Sequence, residues 1–379
     1  MNVLVAIDSF KGSLSSLQAG EAASRGIRRA LPDARVSVLP LADGGEGTAE
    51  AIVLGAGGEM RRVRVSDPLG RPITAAYGII HGGKTAVIEM ASAAGLPLLS
   101  EDERDPLYTT TYGVGELICD AIGQGCRDFI VGIGGSATND GGTGMLSALG
   151  VRFLDRNGDP VPQGARGLAS LARMDISGLL PALRDCRFSV ACDVTNPLCG
   201  ENGCSAVYGP QKGATPASVA EMDKTLAHYA ALTKRILPAS DETRAGCGAA
   251  GGMGFAFLSY LGAELRAGID IVMDAVSLAQ HAKDADLVIT GEGRMDGQSL
   301  LGKAPVGVAR LSKTYGKPVV ALVGGATADA VRCHDHGIDA VFSILRAPLS
   351  LAEAMEPARA EENLAATAEQ VVRLFSAGR

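Results

Sequence analysis

Apolar and polar positions along the chain form blocks that predict strands and helices from the first residues onward. Residues 3–7 form a continuous apolar run that ends at Asp8 and Ser9, which is typical of a buried strand. A helical pattern over residues 15–31 and a second strand over residues 35–41 follow. This opening predicts a β-α-β unit.

The C-terminal part repeats the alternation of strand and helix. Its short buried-type strands are predicted at residues 286–290, 318–323 and 340–344. Its helices are predicted at residues 303–315, 326–336 and 351–375. Neither end of the chain has enough strands for a stable sheet, whereas together they predict a doubly wound parallel α/β sheet. We therefore expect a discontinuous domain of residues 1–66 and 284–379.

The intervening residues 67–283 are predicted to form an inserted domain of mixed α/β topology. Its strands are predicted at residues 73–80, 85–90, 129–133, 151–155 and 187–193, and its helices at residues 113–122, 216–236 and 254–262. Because ligand sites often lie between domains, we expect the active site in the cleft between the two.

Composition and charge narrow the class of partner. The chain has a net charge of −7 and lacks a Lys/Arg-rich run, so nothing indicates binding to nucleic acid or to an anionic membrane. A small-molecule partner is favoured. Residues 1–8 have neither a basic start nor an apolar run long enough for a signal peptide, which predicts a cytoplasmic protein. The eight cysteines contain no CxxC pair and are expected to be free thiols.

Two glycine-rich motifs suggest nucleotide sites, but their context argues against both. Residues 78–85 match the phosphate-loop pattern GxxxxGK[ST], yet a strand follows where a helix is required, so a hairpin tip is the better interpretation. Residues 132–137 match GxGxxA and keep an NAD-dependent oxidoreductase open. The many glycines after them make a poor first helical turn, which favours a nest of backbone amides for phosphate oxygens.

Charged side chains follow several predicted strands, where doubly wound sheets bind ligands. Lys11 follows the first strand and can hold a phosphate or carboxylate, unless the segment serves only to cap the next helix. Asp43 and Glu46 follow the second strand, and Arg294 and Asp296 follow the strand at 286–290. Three such loops at one sheet edge favour function over coincidence.

Asp193 ends another apolar strand, before Asn196 and Pro197. A carboxylate there can accept a hydroxyl proton or hold magnesium, although an Asx turn would use the same residues.

These residues lie in blocks that resemble the bacterial glycerate kinases, including the glycerate 2-kinases. The blocks read DSFKGS, ADGGEGT, GIGGSATNDGG, ACDVTNP, GPQKG and ITGEGR, at residues 8–13, 42–48, 132–142, 191–197, 209–213 and 289–294. The resemblance covers essentially the whole chain. It implies a flavodoxin-like domain carrying an inserted α/β domain, and ATP-dependent phosphorylation of D-glycerate with Mg²⁺. One departure is Ile7, where proline is expected.

On this resemblance we assign site residues as hypotheses. Asp193 is expected to orient or deprotonate the glycerate hydroxyl, while Lys11 and Arg294 neutralise the substrate carboxylate and the γ-phosphate. Asp296 or Asp43 is expected to hold magnesium. The expected substrate and phosphate contacts are Asp8, Ser9, Glu46, Gly134, Gly135, Ser136, Thr138 and Asn139.

Some questions stay open at this stage. The resemblance favours the 2-hydroxyl of glycerate, and transfer to the 3-hydroxyl is the alternative. An NAD-dependent oxidoreductase is the rival class, and it would bind NADH but not ATP. The sequence leaves homo-oligomerisation undecided.

Overall fold

The computed structural model describes residues 1–42, 44–45, 47–297, 299 and 302–377. The chain divides into two compact units. Unit 1 contains residues 1–43, 50–56 and 269–379, and unit 2 contains residues 44–49 and 57–268.

Unit 1 is built on a five-stranded parallel sheet. Its strands are β1 (Asn2–Ile7), β2 (Arg35–Val38), β11 (Leu287–Met295), β12 (Val319–Ala326) and β13 (Ala340–Ser343). They are ordered β13-β12-β11-β1-β2, so the chain places β2 on one side of β1 and the later strands on the other. This is the flavodoxin-like order, in which ligands bind at the carboxyl edge near the reversal between β1 and β11. The predicted fold class is confirmed.

Helices cover the sheet of unit 1. They are α1 (Ser16–Ala30), α2 (Thr48–Ala56, which begins in the unit 2 segment), α9 (Gly268–Ala275), α10 (Leu278–Asp284), α11 (Ala304–Lys313), α12 (Leu351–Ala354) and α13 (Pro357–Ala377), with a 3₁₀ helix at Ala328–His336. The side chain of Ser15 caps α1 in a capping box with Gln18. A Cβ at Gly26 would lie 1.9 Å from the carbonyl oxygen of Ala365, so glycine allows α1 and α13 to pack closely.

Unit 2 contains a mixed sheet and a two-stranded sheet. The six strands of the mixed sheet are β3 (Glu59–Ser66), β4 (Pro72–Ile80), β5 (Thr85–Glu89), β6 (Asp128–Gly132), β9 (Arg187–Ala191) and β10 (Glu264–Arg266). Their order is β10-β9-β6-β5-β4-β3, with β10, β9, β6 and β5 parallel and β4 and β3 antiparallel. The small sheet pairs β7 (Arg152–Leu154) with β8 (Arg173–Asp175).

The helices of unit 2 share a core with this sheet. They are α3 (Ala91–Ala94), α4 (Tyr112–Gly123), α5 (Thr143–Ala148), α6 (Cys204–Tyr208), α7 (Pro216–Ile236) and α8 (Ala249–Tyr260), with 3₁₀ helices at Leu96–Leu98, Glu101–Glu103, Ala165–Ala169, Pro181–Asp185 and Pro210–Lys212. Phe129 and Phe188, from β6 and β9, stack at 4.7 Å between ring centroids. In the described part of the chain, none of the helices has the length and apolar character needed to cross a bilayer.

The division into units departs from the predicted boundaries in three stretches. Residues 44–49, predicted in the discontinuous domain, lie in unit 2. Residues 57–66 lie in unit 2, because β3 pairs antiparallel with β4 along its whole length. Residues 269–283 lie in unit 1. The predicted helix over residues 351–375 is two helices, α12 and α13, and the segment at Ala328–His336 is 3₁₀ rather than α-helical.

The two glycine-rich motifs have the backbone that their context predicts. Residues 81–84 are the tip of a hairpin between β4 and β5, and His81, Gly82 and Gly83 all have positive φ. After β6, the chain stays irregular until α5 begins at Thr143. The strand-turn-helix geometry of a phosphate loop or a dinucleotide fingerprint is therefore missing at both described motifs.

Candidate active site

Unit 1 has a cavity of about 480 Å³ at the carboxyl ends of its strands, called here the strand-end cavity. Its polar side is lined by Asp8, Ser9, Lys11, Glu292, Arg294, Asp296 and Lys303. The residues come from the loop after β1, from the end of β11 and from the start of α11. The structure thus brings together the predicted site residues of the first and last sequence blocks.

The loop after β1 presents a carboxylate and an ammonium group to this cavity. Asp8 is buried, and its Oδ1 accepts a hydrogen bond from the backbone N–H of Ser9 at 2.6 Å. The chain then turns tightly between Phe10 and Leu14, with Gly12 at φ +78°. Lys11 is exposed at this turn. The capping of α1 by Ser15 and the exposure of Lys11 to the cavity therefore coexist in one segment.

Glu292 is a buried carboxylate on the same side, and the sequence did not single it out. Its side chain is 7% exposed, and Oε1 has no hydrogen-bond partner among the described residues. Burial raises the pKa of Glu292 to about 7. A hydrogen bond with the side chain of Ser299 and the charge of Lys303 oppose this shift, and repulsion from Asp8 and Asp296 adds to it. A buried carboxylate with one oxygen lacking a partner costs folding free energy, which is characteristic of functional sites.

Arg294 lies within β11 rather than in a loop after it, and Asp296 directly follows the last residue of the strand. The prediction ended this strand at residue 290, but its pairing with β12 continues to Met295. Nε of Arg294 lies 3.9 Å from Oδ2 of Asp296, and the Arg294 side chain is largely exposed. The guanidinium therefore contributes positive charge beside the cavity without being held in a tight ion pair.

The carboxylates of this cavity provide only part of the ligand set that a magnesium ion needs. Asp8, Glu292 and Asp296 provide hard oxygen donors, and Oε1 of Glu292 lacks a protein partner. In the described part of the chain, no three acidic, His or Cys side chains are arranged to hold a metal on their own. Mg²⁺ usually takes one or two carboxylates together with phosphate oxygens and water, so these residues suit an ion that arrives with a nucleotide.

Unit 2 carries a second group of predicted residues, in the glycine-rich segment at residues 132–142. Gly134 and Gly135 are exposed, and the backbone N–H groups of Gly134, Gly135 and Ser136 donate to no acceptor among the described residues. Gly135 has φ +72°, a conformation that glycine adopts without strain. Consecutive unpaired N–H groups of this kind can bind an anion.

Thr138 and Asn139 lie behind this exposed part. Both are completely buried, and Nδ2 of Asn139 donates to Oγ of Ser205 at 2.8 Å. Their burial restricts the contact surface of the glycine-rich segment to Gly134, Gly135 and the edge of Ser136. Thr138 and Asn139 are better placed to support the segment than to touch a ligand.

Lys212 holds the glycine-rich segment from inside unit 2. Its side chain is 1% exposed, and Nζ donates to Oγ of Ser136 at 2.8 Å and to the carbonyl oxygen of Thr138 at 2.7 Å. Burial lowers the pKa of Lys212 to about 8, while the charge of Asp140 partly offsets this. Lys212 therefore fixes the position of the glycine-rich segment through two hydrogen bonds.

Asp140 lies near the C-terminal end of the same segment, and its fully buried carboxylate accepts hydrogen bonds. It accepts from the backbone and hydroxyl of Thr111 and from the backbone N–H groups of Gly142 and Gly144. Burial raises the pKa of Asp140, and these donors oppose that shift. The carboxylate therefore fixes the backbone between the glycine-rich segment and α5.

Asp193 is exposed just after β9. Its Oδ1 accepts a hydrogen bond from the backbone N–H of Gly268 at 3.0 Å, which fixes the orientation of the carboxylate. In the same unit, Gly44 approaches the end of β6 so closely that a Cβ at Gly132 would lie 2.7 Å from the Gly44 carbonyl oxygen. Asp193, Gly132 and the segment beginning at Gly44 thus lie at the carboxyl ends of neighbouring strands of unit 2.

Two predicted site residues, Asp43 and Glu46, lie outside the described residues. The sequence also missed Glu292, Lys303 and Lys212 as site residues, although Glu292 and Lys212 stand inside recognised blocks. Lys303 lines the strand-end cavity at the start of α11. Its position just before Ala304 and Pro305 was the available signal, since proline is common in the first turn of a helix.

Comparison with known proteins gives one consistent result. The model of the glycerate kinase family matches residues 3–376. A protein of Escherichia coli K12 named glycerate 2-kinase is 50% identical over 372 residues, which cover 97% of this chain and 98% of that protein. A glycerate kinase of Bacillus subtilis 168 is 48% identical over 358 residues, covering 94% of each chain.

A solved structure gives the same result for the fold. A crystal structure from Salmonella typhimurium LT2, of a protein assigned as a glycerate kinase 2, matches with a TM-score of 0.92 at 49% identity. The match covers 100% of this chain and 99% of that one. The likeness therefore extends over both units.

Proposed function

The chain belongs to the glycerate kinase family, whose members are ATP-dependent kinases, and from this premise we propose that it phosphorylates D-glycerate at the 2-hydroxyl. The observation that carries the choice of the 2-hydroxyl is the 50% identity, over nearly the full length, to a protein named glycerate 2-kinase. The charged residues that line the strand-end cavity support the same reaction class, because phosphoryl transfer depends on positioning and charge neutralisation.

Asp193 is proposed to orient and deprotonate the acceptor hydroxyl. The N–H of Gly268 donates to one oxygen of this exposed carboxylate, which helps to fix the orientation of the group. A carboxylate in this position accepts the proton that the hydroxyl loses as its oxygen attacks the γ-phosphorus. The proton transfer prevents positive charge from building up on the attacking oxygen.

Lys11 and Arg294 are proposed to neutralise the substrate carboxylate and the γ-phosphate. Both side chains are exposed to the strand-end cavity, where they can reach a ligand. The planar guanidinium of Arg294 suits two-point binding of a carboxylate or phosphate, whereas the ammonium of Lys11 acts as a point charge. Asp8, Ser9 and Glu46 are proposed as further contacts in the substrate and phosphate site.

The N–H groups of Gly134, Gly135 and Ser136 are proposed to contact phosphate oxygens. Lys212 maintains their arrangement from behind by its two hydrogen bonds to the segment. Thr138 and Asn139 are proposed to stabilise this backbone from within the core.

Mg²⁺ is proposed as the metal, held by Asp296 or Asp43 together with nucleotide phosphate oxygens. When bound, the ion supplies positive charge that neutralises the phosphate oxygens. Asp8 and Glu292 line the same cavity as Asp296 and supply further negative charge to attract a cation. The cytoplasmic location stays a prediction, and homo-oligomerisation stays undecided.

A phosphorus NMR time course with ATP, Mg²⁺ and D-glycerate tests the proposal. The expected result is growth of a 2-phosphoglycerate signal as ATP is converted to ADP. L-Glycerate and a nucleotide with a non-hydrolysable β,γ-bridge serve as controls and should give no phosphoglycerate. A 3-phosphoglycerate signal would support the kinase activity but show that the phosphoryl group is transferred to the 3-hydroxyl. Absence of both turnover and ATP binding would overturn the proposal and call for an NADH titration.

A further inference from the structure

The strand-end cavity has an apolar side that glycerate chemistry does not require. Besides the charged residues, the cavity is lined by a set of apolar residues, called here its apolar side: Phe10, Ile344, Leu345, Leu351, Ala354 and Met355. These residues come from the loop after β1, from the chain after β13, and from α12 and the residue that follows it. One cavity thus combines charged side chains of both signs with apolar side chains, which suits a ligand that has a charged end and an apolar end.

Two leucines of the apolar side are unusually exposed. Leu345 is 41% exposed and Leu351 is 76% exposed, although both line the cavity. Exposed apolar side chains that meet at one concave site mark a surface that a ligand covers. The leucines are therefore best explained by an apolar group that binds against them.

The size of the cavity distinguishes between the two substrates of the reaction. Its volume of about 480 Å³ lies within the range of roughly 300–1,000 Å³ typical of pockets for larger ligands. Glycerate is a three-carbon acid with a polar group on every carbon, so it would fill a small part of this space and gain nothing from leucine and methionine side chains. A purine nucleoside with its phosphates matches both the size and the division of chemistry.

Three glycines also line the strand-end cavity, and they leave room beside its charged side chains. Gly293, Gly324 and Gly325 border the cavity at the ends of β11 and β12, and a Cβ at Gly325 would meet nothing within 4 Å. Backbone without side chains lets phosphate oxygens approach Lys11, Arg294 and Lys303. We propose that the strand-end cavity binds ATP, with the purine and ribose against the apolar side and the phosphates beside Lys11, Arg294 and Lys303.

This inference rests on the proposed function, and the test separates the two. Leu351→Glu and Leu345→Ser change exposed side chains, so neither should prevent folding. ADP binding is measured by calorimetry, independently of turnover, and the expected result is a dissociation constant at least tenfold higher in Leu351→Glu. The KM for ATP should rise similarly, while the KM for glycerate stays within about threefold.

A matched control variant and a second ligand test whether the effect is specific to the apolar residues of the cavity. Leu374→Glu changes a leucine of α13 that is 68% exposed and lies outside the cavity lining, so ADP binding should be unchanged. Inorganic tripolyphosphate carries the anionic end alone. Its affinity should be equal in the wild type and in Leu345→Ser, because that variant removes only the apolar contact.

Each other outcome has a definite meaning. If the wild type phosphorylates glycerate but both variants bind ADP normally, the proposed nucleotide site is wrong and the proposed function stands. A rise in the KM for glycerate alone would assign the cavity to glycerate instead. A wild-type protein that neither binds ADP nor turns over would overturn the proposed function and this inference together.

Discussion

Lys212 and Ser136 stand 76 residues apart in the sequence, and their side chains are joined by a hydrogen bond of 2.8 Å inside unit 2. The ammonium group is almost completely buried. Because its charged form is poorly solvated there, the pKa falls from 10.5 to about 8. The contact therefore links the exposed glycines to a group that titrates near physiological pH.

Replacing Lys212 with methionine should change how stability depends on pH. In the wild type, the unfolded chain binds more protons at this site than the folded protein between pH 8 and 10.5, so the free energy of unfolding rises with pH in that window. From pH 7.5 to 9.5 the contribution is about 1–2 kcal/mol. Urea denaturation at both pH values should show this rise in the wild type relative to Lys212→Met.

Lys224→Met is the matched control, because Lys224 is exposed on α7. It should keep the wild-type difference between the two pH values. Equal pH dependence in the wild type and Lys212→Met would show that the buried ammonium is not destabilised, and would weaken its assignment as a group that titrates near neutral pH.

Replacing Glu292 with glutamine should stabilise the protein while impairing it as an enzyme. Burial raises the pKa of Glu292 to about 7, so the folded protein holds a proton there that the unfolded chain releases above pH 4.5. This contribution to stability is present in full below pH 4.5 and is lost as pH rises through 7. Between pH 5 and 7.5 the wild type should lose about 2 kcal/mol relative to Glu292→Gln.

Chemical denaturation at both pH values measures this difference, and steady-state turnover measures the loss of activity. Opposite changes are expected because a buried carboxylate whose Oε1 lacks a partner among the described residues is retained for function at the expense of stability. Glu21→Gln, at an exposed position of α1, should alter neither quantity. Full activity of the Glu292→Gln enzyme would show that the carboxylate of Glu292 has no role in the reaction.

The predictable parts of the fold are those where local pattern and tertiary structure agree. β1 was predicted because every residue from Val3 to Ile7 is buried, which gives an uninterrupted apolar run. β3 was missed because it is an edge strand whose sequence, EMRRVRVS, has little apolar character. Only its pairing with β4 identifies it as part of the second sheet.

Parts of the candidate site were also missed by prediction from local sequence pattern, for other reasons than β3. Gly291 and Gly293 made the end of β11 resemble a loop, whereas pairing with β12 extends the strand and carries Glu292 into the cavity wall. Lys212 in GPQKG reads as a surface lysine, because its burial depends on contacts with residues distant in sequence. Neither burial nor a shifted pKa can be deduced from local residue pattern.

Replacing Asp140 with asparagine should destabilise unit 2 strongly. The carboxylate accepts four hydrogen bonds from Thr111, Gly142 and Gly144, and an amide would present N–H groups to some of these donors. Buried unpaired donors cost about 1–3 kcal/mol each, so a loss of about 3 kcal/mol in the free energy of unfolding is expected. Urea denaturation gives the value.

Asp155→Asn provides the comparison for Asp140. Oδ1 of Asp155 accepts from the N–H groups of Asn157 and Asp159 in an exposed turn, and one amide oxygen can replace it. The expected loss is below about 1 kcal/mol. Similar losses for the two variants would show that the buried network around Asp140 does not demand a carboxylate.

Replacing Asp193 with asparagine tests the proposed base directly. The amide oxygen can still accept the hydrogen bond from Gly268, so the local geometry should be kept while the ability to accept a proton is lost. General base catalysis contributes roughly 10²–10⁴-fold, so kcat should fall by at least tenfold with ADP binding unchanged. Steady-state kinetics with D-glycerate and calorimetry with ADP measure the two quantities.

Asp223→Asn is the control for this variant, since Oδ1 of Asp223 likewise accepts one backbone N–H, from Gly200 at 2.8 Å. It has no proposed catalytic role, so its kcat should stay within about twofold of the wild type. A loss below tenfold in Asp193→Asn would exclude Asp193 as the base. Both carboxylates accept a hydrogen bond from a backbone N–H, but only Asp193 has a proposed catalytic role. A large loss of kcat in both variants would therefore show that the loss comes from disturbed loops and not from a missing base.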